Sequence, residues 1–156
     1  MIITGKIKLT SKKFFGILIT TYLKKKWWLL VWIWALILIL FLDNNKDSIE
    51  LFLIFFLLLI QILLLIQFRR YAYSKENKVF MLKRHYEIEP DIINGIMEDG
   101  TIQPIKTAHF IKVFKTSEYY LLYIAKSQFI YLPADSFSNS TDKQWFENEI
   151  INKIKK

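Results

Sequence analysis

Few side chains in this chain are suited to chemistry. Two histidines, His85 and His109, lie far apart in sequence, and Glu87, Glu89 and Asp91 follow the first at alternate positions. Imidazoles and carboxylates are zinc ligands, but a site would require His109 to fold back onto this run. Alternating carboxylates also mark the solvated face of a strand, so the expectation is an exposed face and no metal. The sequence has no cysteine, which excludes a disulfide framework and a thiolate metal site. It also lacks a Ser-x-x-Lys pair, a phosphate-cradling glycine loop, an HExxH helix and a nucleophile elbow. A non-enzymatic protein without a cofactor is therefore expected.

The basic side chains offer a different chemistry. Lys83, Arg84 and His85, with Lys6, Lys8, Lys12 and Lys13, could form a cationic surface. The chain lacks a base-stacking motif and its last 88 residues are only modestly positive, so no nucleic-acid partner is expected. Beside a membrane, the same cations would attract anionic lipid, each contributing about 1 kcal/mol near the surface.

That reading depends on the elements around them. The chain has 156 residues, of which 53% are hydrophobic, 17% aromatic and 23% charged, with apolar and charged residues segregated. Residues 1–26 carry seven lysines and no acid, residues 43–50 have a net charge of −2, and residues 69–156 have a net charge of +3. Residues 27–42 and 51–68 hold no charge. The wealth of Lys, Ile, Asn and Phe, with only 4 Gly, has the character of a low-GC bacterial gene.

The two uncharged runs predict a transmembrane hairpin over 27–68, with spans of about 24–42 and 49–68. A helix rises 1.5 Å per residue, so a ~30 Å hydrocarbon core takes about 20 residues. Both runs reach that length if Lys24, Lys25 and Lys26 extend toward the headgroups. Each central Leu, Ile, Phe or Val contributes about −0.3 to −0.6 kcal/mol to insertion, whereas one central charge costs roughly +3. A soluble core helix would need wrapping on every face, and a signal peptide has a shorter run and a small-residue cleavage site.

Six residues, Asp43 to Ser48, join the runs, so the spans must be antiparallel. Lys24 to Lys26 and the Arg69-Arg70 pair flank the outer ends of the hairpin, while its short turn is acidic. The positive-inside rule then places both termini in the cytoplasm, beneath a bacterial inner membrane. Trp27 and Trp28 fit the interfacial aromatic belt. Gln61 is the polar group within a span that could contact another helix; a local bond is the simpler expectation.

Outside the hairpin the pattern is of strands. Ile3, Gly5, Ile7 and Leu9 alternate with polar residues, predicting a half-buried strand over 2–9, and Ser11 can cap a juxtamembrane helix within 1–26. Residues 69–156 form the soluble domain. NKVFMLKRHYEIEP, DIINGIMEDG, TIQPIKTAHFIKVFKT, SEYYLLYIAKS and QFIYLPADSF read as successive strands or strand pairs, with EDGT and KTSE as hairpin turns and YYLLYIA with FIYL as the strongest antiparallel pair. Thr141 and Gln144 resemble a capping box ahead of a helix with Phe146, Ile150, Ile151 and Ile154 on one stripe. The predicted class is membrane α+β: a hairpin inserted before a small antiparallel sheet closed by a C-terminal helix.

In this order the chain resembles the YcxB-like family of small bacterial membrane proteins. The likeness is carried by the leading strand ending in LT, the two-span hairpin, and the fragments GTIQPIKTAHFIKV, YYLLYI and FIYLPADSF. The family's usual Trp is replaced around Ala108 to Phe110, and the basic residue after the strand-end Pro is absent in PADSF, so a shared ligand does not follow. The resemblance implies a pleckstrin-homology-like (PH-like) cytoplasmic domain and no catalytic residues. The function expected is a membrane-anchored binding domain for a protein, peptide or lipid headgroup. Bacteriocin self-immunity is an alternative, because PH-like domains occur in some small immunity proteins, and an oligomeric transporter or pore component is a third.

Overall fold

The computed structural model describes residues 1–42, 47–126 and 128–154. It divides into two compact units, Thr10–Val79 on one hand and Met1–Leu9 with Phe80–Lys156 on the other. The chain thus leaves its first strand, builds the helical unit, and returns to complete the sheets.

The helical unit contains α1 (Ser11–Leu42) and α2 (Ser48–Ala72). They run antiparallel, with the Phe14 and Tyr71 rings 6.0 Å apart and the Tyr22 and Phe68 rings in edge contact at 5.3 Å. The acidic connection expected at 43–48 lies, for Asp43 to Lys46, outside the described residues. α1 breaks at Lys26, whose φ of −125° and ψ of 17° are not helical. No proline or glycine stands there, and the break falls where three adjacent ammonium groups meet the tryptophan pair. Beyond it, Ile37 is buried, whereas Trp32 is 70% exposed and Ile39 67%. In α2 apolar side chains such as Phe52, Phe55 and Leu63 are likewise exposed, so both helices are long and apolar enough to cross a membrane and expose extensive apolar surface away from their mutual contact. The end of α2 is closed by buried Asn77, whose side-chain amide donates to the Tyr71 carbonyl at 2.7 Å and to Ser74 Oγ at 3.1 Å. Asn77 belongs to a 3₁₀ helix over Lys75–Met81. The strand expected from Asn77 onward on the apolar run Val79 to Leu82 begins only at Arg84.

The second unit is built of two antiparallel sheets and a C-terminal helix. One sheet orders β1 (Ile2–Ile3), β2 (Arg84–Ile88), β3 (Ile92–Met97) and β4 (Ile102–Lys106); the other orders β5 (Lys112–Lys115), β6 (Tyr119–Tyr123) and β7 (Phe129–Pro133). Gly100, with φ of +84°, supplies the left-handed residue of the β3–β4 turn, and the Thr101 amide donates to Asp99 Oδ1. Those hydrogen bonds hold the Asp99 carboxyl below its ordinary range. Pro104 lies in β4, which pairs with β3 alone, as proline requires of an edge strand.

β6 is buried on both faces. Tyr120 and Leu122, paired with Leu132 and Ile130, share one face, and Tyr120 meets the rings of Phe137 and Phe146 edge-on at 6.3 and 5.4 Å. On the other face Leu121 pairs with Tyr131, which lines a cavity of about 20 Å³ with Ile7, Leu9 and Phe80. Such a doubly covered strand reads as an unbroken apolar run instead of an alternation.

Two further expectations need correction. The strand at 2–9 is not continuous: Ile3 pairs with Glu87 but Ile7 with Arg84, so four steps on the first strand match three on β2. The extra residue is a β-bulge, and it shifts the phase so that Ile2, Thr4, Ile7 and Leu9 are buried while Ile3 is exposed. Thr4 Oγ1 accepts the Tyr86 amide at 2.8 Å, and the Gly5 amide donates to the Ser136 carbonyl at 2.7 Å. The C-terminal helix is capped by Asn139 and not by Thr141: Asn139 Oδ1 accepts the Asp142 amide at 2.7 Å, and α3 spans Ser140–Phe146. It continues through a π turn over Glu147–Ile151 and ends at Asn152–Ile154. The wider i to i+5 turn brings Phe146 and Ile151 to one face, and both are buried along with Ile150.

Candidate functional site

The residues singled out at the expected membrane boundary lie in the helical unit. Lys24, Lys25, Lys26, Trp27 and Trp28 are exposed around the break in α1, and Arg69 and Arg70 are exposed in the last turn of α2. Cations there also complement the partial negative charge of the helix end. Gln61 is half-buried and turns back on its own helix, its amide donating to the Leu57 carbonyl at 3.5 Å.

In the sheet unit, β2 places Tyr86 and Ile88 inward and leaves Glu87 and Glu89 half-exposed, while His85 stands opposite Ile96 and His109 is exposed in a 3₁₀ turn. Among the described residues no group of three or more His, Asp or Glu side chains could hold a metal ion.

Between the two sheets lies a cleft of about 240 Å³. Phe80, Ile105 and Phe129 give it apolar walls, and Arg84, Tyr86 and Gln128 supply polar groups. Gly95 makes room for this arrangement. It is the cross-strand partner of Tyr86, and a Cβ at that position would lie 3.2 Å from Tyr86 Cε1, so the ring passes over the bare backbone. Burial pushes the Tyr86 hydroxyl upward, against the opposing charge and hydrogen bond of Arg84, so the phenol is protonated at neutral pH. An apolar wall with a guanidinium, a phenol and an amide is a lining suited to holding a ligand, and no two of these groups form a nucleophile and its base. Sequence reasoning placed Arg84 only within a basic run and missed Gly95; the cross-strand Tyr–Gly pair was the available signal.

No family model matches the chain, nor does any curated protein or solved structure.

A second polar cluster lies at the C-terminal helix. Glu147 accepts from the Tyr120 hydroxyl through Oε1 and pairs with Lys115 Nζ through Oε2 at 2.7 Å. The Lys115 hydrogen bond, with that of Tyr120, holds the Glu147 carboxyl below its ordinary value, while burial and then Glu147 push the Tyr120 hydroxyl up. Both shifts move the groups away from neutral pH, the opposite of what acid–base catalysis requires. The cluster ties β5 and β6 to the helix.

Proposed function

We propose that this is a non-enzymatic bacterial membrane protein, in which α1 and α2 cross the inner membrane as a hairpin and the sheet unit is a cytoplasmic, PH-like binding domain. The observation that carries the reading is the apolar surface around both helices. Soluble proteins rarely expose apolar patches beyond a few hundred Å², and lipid is the solvent that makes such a surface stable. Lys24 to Lys26 at the break in α1 and Arg69-Arg70 at the end of α2 support orientation with both termini inside. A four-stranded and a three-stranded antiparallel sheet with a C-terminal helix supports the PH-like description. The inter-sheet cleft is the ligand site on this reading, suited to a group with an apolar body and an acceptor near Arg84.

Reporters fused after Lys156 and within the 43–48 connection test the topology. The expected outcome is cytoplasmic reporter activity at the C-terminus and external activity in the connection; a C-terminus outside the cell would overturn the orientation.

A further inference from the structure

The bulge in the first strand has a consequence for charge. In an unbroken strand Lys6 would share the buried side with Ile2 and Thr4; the extra residue turns it outward instead. The position is fixed by backbone bonds on either side: the Gly5 amide donates to Ser136, the Ile7 amide to Arg84 at 2.7 Å and the Arg84 amide back to Ile7 at 3.0 Å. Lys6 thereby joins Lys83, Arg84 and His85 around an open notch of about 200 Å³. Glu98 is the acid on its rim, paired with Lys83 Nζ at 3.1 Å. That pair is weak, since its side chains are 47% and 58% exposed.

We propose that this notch binds the phosphate of an anionic lipid headgroup. Lys6 and Lys83 against one carboxylate leave a net positive site, and ammonium groups suit phosphate oxygens, while the Arg84 guanidinium turns to Tyr86 in the cleft. The proposal rests on the hairpin crossing a membrane, for the chain then keeps the notch near a headgroup layer. Eleven residues lead from Ala72 at the end of α2 to Lys83, and seven of these, Lys75–Met81, form a 3₁₀ helix rising only ~2 Å each, so the reach is at most about 30 Å. Free phosphate lacks this tether and would engage the notch only at high concentration.

The imidazole NMR signals offer a selective probe, because the chain has two histidines and only His85 lines the notch. Full-length protein in a nonionic micelle is titrated with short-chain phosphatidylglycerol, phosphatidylcholine or inorganic phosphate. Phosphatidylglycerol should shift His85 saturably and leave His109 unmoved, with little response to the other two. Lys6→Gln and Lys83→Gln should each weaken binding about fivefold, the equivalent of ~1 kcal/mol per basic group. Glu98→Gln should tighten binding about two- to fivefold, a gain that damage to the fold would not produce. Lys112→Gln, an exposed lysine on β5, should change nothing. Equal responses to phosphatidylcholine, equal affinity for inorganic phosphate, or indifference to Lys6→Gln and Lys83→Gln would each overturn the proposal. Failure of the hairpin reading is separately visible, as loss of the wild-type chain from the membrane fraction.

Discussion

Tyr119 to Leu122 and Trp27 to Trp34 draw on the same kinds of side chain and meet opposite fates. The first are at most 9% exposed within the sheets; the tryptophans at 27, 28, 32 and 34 are 50–70% exposed on a helix. Apolar character is common to both stretches and does not decide the difference. YYLLY is five residues long and bounded by turns; Phe146 and Phe137 cover one face of it, and Tyr131 flanks Leu121 on the other. The helices of Thr10–Val79 find no such cover within the described residues, and both are long and apolar enough to cross a membrane.

Placing one lysine in each region sharpens this contrast most. Leu122→Lys buries an ammonium group in a fully covered strand, and should abolish hydrogen-exchange protection of β6 while leaving the chain in the membrane fraction. Ile60→Lys puts the same charge at the middle of α2, at a cost to insertion of roughly 3 kcal/mol, and should reduce membrane-inserted protein with β6 protection retained in the inserted fraction. If the two variants fail in the same way, the regions do not obey different solvents.

The next effect lies within the sheet unit. Phe146 is fully buried against Tyr120 and Phe137, so Phe146→Ala should destabilise that unit by about 3–5 kcal/mol, read as loss of β6 exchange protection at lower denaturant concentration. Trp32→Ala, on the exposed stretch of α1, should leave the same readout unchanged.

The smallest effect concerns Glu147, which is half-exposed, so its ion pair with Lys115 contributes under about 1 kcal/mol. Its depressed pKa means that the contribution is present above the ordinary 4.5 and is lost as pH falls through the lower folded value. Tyr120 is shifted the other way, so its contribution holds below the ordinary 10 and fades at higher pH. Glu147→Gln should therefore flatten the acid limb of a stability–pH curve. An unchanged limb would show that the cluster is energetically neutral.

The parts of the fold that were legible in the sequence are those set by local pattern. Two uncharged runs gave the helices, Gly100 the β3–β4 turn, YYLLY and FIYL the β6–β7 pair, and Phe146 with Ile150 and Ile151 the buried stripe of the last helix, beside which Ile154 is half-buried. The features that were hidden change the count of residues without changing their type. Ile3, Gly5, Ile7 and Leu9 alternate perfectly on paper, yet one bulged residue reverses which of them is buried. A π turn is similarly silent, because Ile150 and Ile151 satisfy an α-helical stripe almost as well. Asn139 and Thr141 are both good cap residues, and it is the earlier one whose side chain accepts the Asp142 amide. Of the candidate sites, the cationic run at 83–85 and its grouping with Lys6 were legible, whereas the bulge that seats Lys6 and the cleft that depends on Gly95 lying opposite Tyr86 were not.

The central claim is that lipid covers the helices of Thr10–Val79. The direct measurement is extraction of membranes from cells expressing the full chain, first with alkaline carbonate and then with detergent. Retention through the carbonate wash and release only by detergent is the predicted result; release into the carbonate supernatant as a folded monomer would contradict it.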